Sequence, residues 1–111
     1  MNSYKVKYTE GSGNIYQDLG FSDSEERLAK ARLAMRIEEI IEKKKLKQAE
    51  AAKIIGINQP KISALVHGRL SGFSMERLIH FLNLLNQDVK IVVRTKPGRP
   101  ISYGRLEVAF G

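Results

Sequence analysis

The stretch LKQAEAAKIIGINQPKISALVHG, residues 46–68, decides the architecture of this 111-residue chain. Gln48 stands where a helix begins, and Ala51, Ala52 and Ile55 fall on one of its faces. Alanine at position 52 lets a second helix approach closely. Gly56 supplies a tight turn, and Asn58 is a residue type suited to capping the next helix. That helix is expected over 59–67, with Ile62, Leu65 and Val66 inward and polar groups on its other side. Pro60 is tolerated because first-turn amides have no intrahelical acceptor. Two short helices in this order describe a helix-turn-helix, whose second helix enters a DNA major groove.

Charge supports a polyanionic partner. The formal net charge is +7, from 19 Lys+Arg against 12 Asp+Glu, and the isoelectric point is about 9.8. The excess is unevenly placed. Residues 1–40 hold 6 basic and 7 acidic side chains, whereas residues 41–70 hold 7 basic and 2 acidic. Residues 71–87 are balanced, and residues 88–111 carry 5 basic against 2 acidic. The positive field therefore peaks across the proposed motif, where neutralised phosphates would release counterions. A hydrophobic fraction of 42% fits one globular domain with a modest core. The absence of cysteine rules out a disulfide framework and thiolate metal sites. No apolar run approaches the about 20 residues of a membrane span, and no signal-like segment opens the chain. A cytoplasmic protein with no membrane partner is expected.

Outward from the motif, residues 22–45 predict a long helix. Ser22 or Ser24 offers its cap, and Asp23, Glu25 and Glu26 suit the positive end of its dipole. Ala29, Leu33, Ile37, Ile40 and Ile41 recur at helical spacing as a core stripe. Lys43, Lys44 and Lys45 close it as a solvated end rather than as DNA ligands. Beyond the loop 68–73, Ser74 caps a fourth helix with Leu78, Phe81, Leu82 and Leu85 on one face, ended by Asn86. In residues 88–95 the period changes: Val89, Ile91 and Val93 alternate with Lys90, Val92 and Arg94, a strand pattern. Such a strand needs a partner, either the alternating stretch 4–8 or its own copy in a homodimer. The tail 96–111 is split by Pro97, Gly98 and Pro100 and is expected to become ordered only on a partner.

Within the motif, Lys47 and Gln48 are placed to meet phosphate at a helix start. Gln59 can span the N6 and N7 edge of adenine, and Asn58 can cap the helix while touching the DNA backbone. Lys61 reaches guanine or phosphate, and Ser63 is short enough to favour phosphate. Pro60 and Ala64 present apolar surface for a thymine methyl, and Arg69 is a backbone clamp. The second helix holds no arginine, so few direct base contacts are expected, biased to A·T, with DNA shape supplying part of the specificity. A bland alternative exists for each feature, since small residues at a helix crossing are ordinary packing. Spacing, turn chemistry and local charge agree on the sharper reading.

Catalysis is not indicated. Ser63 and His67 lie one helical turn apart, but no carboxylate stands nearby in sequence to orient the imidazole. His80 is isolated and reads as structural. Two histidines without a carboxylate cluster make no recognisable metal site, and no cofactor motif is present. The aromatic residues are too scattered for a base-stacking platform.

The set Gln48–Ala49–Glu50, Ala52, Gly56, Gln59, Ser63 and Gly68 resembles the Xre, or lambda-repressor-like, helix-turn-helix family. Residues 14–21 (NIYQDLGF), 29–33 (AKARL), 70–78 (LSGFSMERL) and Asp88–Val89 are similar to a narrower group of HigA-type antitoxins and small Xre regulators. The resemblance spans about residues 14–94. It implies an all-α, lambda-repressor-like domain, a homodimer that represses its own operon at an operator, which two-fold symmetry would make palindromic, and a RelE-like toxin as possible partner. Members of the wider family have a fifth helix where this chain has the strand pattern, which favours strand-mediated pairing.

The expected layout is therefore an N-terminal extension (1–21), a four-helix DNA-binding domain (22–87), a C-terminal β-strand for dimerisation (88–95) and a basic tail (96–111). The expected function is a sequence-specific transcriptional regulator, an antitoxin that represses its own operon. Its rivals are a stand-alone phage-type repressor and a toxin-neutralising interaction module in which DNA binding is secondary.

Overall fold

The computed structural model describes residues 23–98 and 104–111. Four helices follow one another: α1 (Asp23–Lys43), α2 (Gln48–Ile55), α3 (Gln59–Val66) and α4 (Met75–Leu84). α1 packs on α4 and α3, while α2 packs on α3 and α4, so one core lies among all four. The stripe on α1 is buried along its length, at Ala29, Leu33, Ala34, Ile37, Ile40 and Ile41. Ala51, Ala52 and Ile55 meet it from α2, Ile62 and Leu65 from α3, and Leu78, Phe81, Leu82 and Leu85 from α4 and its end. Val66, expected inward, is only half-buried. Among the described residues no polar or charged side chain is buried. Cohesion is thus apolar, about 1.5–3 kcal/mol for each fully enclosed aliphatic side chain.

All four helices end alike. Lys45 (φ 57°), Gly56 (φ 78°), Gly68 (φ 76°) and Asn86 (φ 68°) take left-handed backbone conformations. The amide after each reaches back five residues: Leu46 to Ile41 (3.0 Å), Ile57 to Ala52 (3.0 Å), Arg69 to Ala64 (2.9 Å) and Gln87 to Leu82 (3.0 Å). This is the Schellman closure, which satisfies carbonyls that a helix end leaves without donors. Glycine accepts the conformation without a Cβ penalty, and Asn is the next best tolerated. Lys45 has neither advantage. At the helix starts, the Asn58 side chain accepts from the Lys61 amide (2.9 Å) and Ser74 Oγ accepts from the Arg77 amide (3.1 Å). Lys47 cannot cap in that way. Its own amide donates instead to the Glu50 carboxylate, at 2.8 Å.

The C-terminal strand is not seen. Residues 88–97 make no ladder with any described residue. An extended segment forms a strand only against another edge; of the two partners the sequence offers, residues 4–8 lie outside the described residues, and the second is another copy of the chain. The aliphatic groups of the segment are consequently open to solvent: Ile91 is 76% exposed, Val92 62% and Val93 91%.

A second expectation is corrected. Residues 104–110 are not loose but rest along α1. Val108 packs against the core, the Val108 carbonyl accepts from Arg32 Nη1 (3.2 Å), and the Arg36 guanidinium lies 4.4 Å from the Phe110 ring centre. The apolar residues of the tail, although separated by Pro and Gly in sequence, find an existing helix face to cover.

Candidate nucleic-acid interface

The packing of α3 determines what it can present. Ile62 and Leu65 turn inward and are enclosed. By helical periodicity the opposite edge is then Pro60, Ser63, Ala64 and His67, with Lys61 on its flank and Gln59 at its tip. Asn58, Gln59, Pro60, Lys61 and His67 are exposed, whereas Ser63 and Ala64 are half-buried. Ala64 also touches the core, which leaves only part of its surface for a partner. Lys47 and Gln48 are exposed where α2 begins, and Arg69 is exposed in the loop after α3. Every residue expected to meet DNA is therefore on the surface, and the two least open are the two smallest.

Asn58 has a structural duty already, since its side-chain oxygen holds the Lys61 amide. Its side-chain amide group remains as a donor. Ser63 and His67 are brought together as their spacing implied. His67 Nδ1 lies 2.7 Å from the Ser63 carbonyl and 3.4 Å from Ser63 Oγ. A carbonyl oxygen only accepts, so Nδ1 carries the proton and donates it there. That ring nitrogen cannot take a proton from the Ser63 hydroxyl, and the pair is not a nucleophile and base.

One basic residue in this region was not among the sequence expectations. Phe73, buried in the loop before α4, stacks edge-on against Phe81 with ring centres 5.9 Å apart. Lys61 of α3 lies 5.8 Å from the Phe73 ring centre and Arg77 of α4 lies 5.6 Å from it. Arg77 also lies 5.4 Å from Phe81. The two rings thus take cations from two different helices, Lys61 of α3 at Phe73 and Arg77 of α4 at both rings. Neither cation forms an ion pair among the described residues; the Arg36–Glu39 pair, at 3.3 Å, belongs to α1. In sequence, Arg77 signals only a place in the first turn after the Ser74 cap. Its approach to Phe73, the ring that Lys61 also approaches, follows from the tertiary fold.

Among the described residues, no group of three or more His, Asp or Glu side chains gathers, and no helix is long and apolar enough to cross a membrane. No curated protein matches the chain. A family model described as a helix-turn-helix domain matches residues 15–94. A solved structure named "Putative XRE Family Transcriptional Regulator" is 49% identical, with a TM-score of 0.74, over 81% of this chain and 100% of that one. By sequence and by fold alike, the chain belongs to the helix-turn-helix family of XRE type.

Proposed function

We propose that this protein is a sequence-specific DNA-binding transcriptional repressor that acts as a homodimer on a two-fold operator. One observation carries the reading: the edge of α3 opposite its buried Ile62 and Leu65 faces outward, with Pro60 and His67 exposed, and exposed cations stand before α2 (Lys47), on α3 (Lys61), in the following loop (Arg69) and on α4 (Arg77). An α-helix with such an edge fits a major groove. In this reading Gln59 bonds an adenine edge, and Lys61 reaches guanine or phosphate. Pro60 and the open part of Ala64 meet thymine methyl groups. Lys47, Gln48, Asn58, Ser63 and Arg69 hold the phosphate backbone, and Arg77 joins Lys61 there. The relative's name supports transcriptional regulation; a narrower role, as the antitoxin of a toxin–antitoxin operon that it represses itself, rests on the resemblance of residues 14–94 to HigA-type antitoxins.

Footprinting and binding to DNA upstream of the gene test the first part. Gln59→Ala should cost roughly 1–3 kcal/mol at one base pair and relax preference there. Lys47→Ala should weaken operator and random DNA alike and lower the salt slope by about one. If Gln59→Ala loses affinity equally on operator and random DNA, its assigned role is wrong. Co-expression with a neighbouring small basic reading frame tests the antitoxin role. Growth arrest by that frame, relieved by this protein, is the expected result, and indifference to this protein would leave a stand-alone repressor.

A further inference from the structure

The arm after α4 is open to solvent at first and docked further on. Ile91, Val92 and Val93 are left open to solvent, yet residues 104–110, further along, are well docked on α1. We infer that in the homodimer the two copies of residues 88–94 pair antiparallel about Ile91, and that each chain's residues 104–110 lie on α1 of the other copy. This rests on the homodimer proposed above.

The register follows from the side chains. Pairing centred on Ile91 sets Val89 opposite Val93 of the other copy, so that Val89, Ile91 and Val93 from both copies form one aliphatic face. It also sets Asp88 opposite Arg94, twice, in opposite-charge pairs. Shifting the centre by half a residue interleaves valines with Lys90 and Arg94 on a single face, and both advantages are lost. Exposed ion pairs add little energy, but they discriminate between registers.

The exchange follows from the register. A strand rises about 3.3 Å per residue, so seven residues carry the chain roughly 20 Å from its own α4. Arg94 then stands beside the other copy's Asp88, three residues beyond the Leu85 that closes the other copy's core. α1 packs on α4, so the nearest α1 to the emerging tail belongs to the other copy. The docked contacts are Val108 on the core, Arg32 to the Val108 carbonyl and Arg36 over Phe110. All are identical whichever copy supplies α1. Exchange therefore keeps every docking contact and adds the strand pair, the condition under which swapped dimers form at low cost.

The chain has no cysteine, which makes the test direct. In the full-length protein, Arg36→Cys and Phe110→Cys are combined and treated with a short bis-maleimide, and size is measured before linking. The expected result is a dimer whose chains become covalently joined at twice the chain mass. A dimer linked only within each chain, or not linked at all, overturns the exchange and leaves the homodimer standing. A monomer before linking overturns both. The register is tested separately: Arg94→Asp should raise the dimer dissociation constant about tenfold, and adding Asp88→Arg should restore it. Failure of the second change to restore affinity overturns the Ile91-centred pairing.

Discussion

Isoleucines at 37, 40, 41, 55 and 62 are enclosed, while Ile91 and its neighbours Val92 and Val93 face water. The side chains are of one chemical kind, so hydrophobicity does not separate them. Secondary structure does. A helix satisfies its own backbone and needs only a neighbour for one face, which three other helices of the same chain provide. An extended segment needs partners for its amides and carbonyls as well as for its side chains. The four-helix body is complete as one chain, and the arm is half of an element.

The contrast can be broken by mutation. Ile62→Ala should lower the unfolding free energy by about 2–5 kcal/mol, read from urea denaturation, because the space left inside the core has nothing to fill it. Ile91→Ser should act differently. In a sample dilute enough to be monomeric, its unfolding should move by less than about 0.5 kcal/mol. The dimer dissociation constant should rise about tenfold or more, since two copies of Ile91 meet at the proposed axis. Equal destabilisation of the dilute protein by both substitutions would erase the distinction between body and arm. The smallest effect sharpens it within the body: Lys45→Gly should gain about 1 kcal/mol by relieving a left-handed lysine, with no change in DNA affinity.

Much of the body was legible in residues. The spacing of Ala29, Leu33, Ile37, Ile40 and Ile41 marked the inner face of α1, and each is buried. Asn58 and Ser74 announced the starts of α3 and α4 and do cap them. Gly56 and Asn86 announced the ends of α2 and α4 and are left-handed there. These signals are local, since a cap or stripe involves residues within one or two turns. The outward edge of α3 was legible in the same way, because Ile62 and Leu65 turn inward and Pro60 and His67 are exposed opposite them. Arg77 was not, because the Phe73 ring that both it and Lys61 approach belongs to the loop between their helices. Nor was the docking of Val108 and Phe110, whose partners Arg32 and Arg36 are more than seventy positions away.

By itself, then, the order of residues determined the helices, their caps, their inner faces and the motif that 46–68 encode, since these depend on periodicity and on turns a few residues long. The tertiary structure alone decided which cations approach the Phe73 ring and where the tail lies. It also left the alternating segment 88–95 without the edge that would make it a strand. Those outcomes depend on which surfaces meet in space, and separation along the chain carries no record of that.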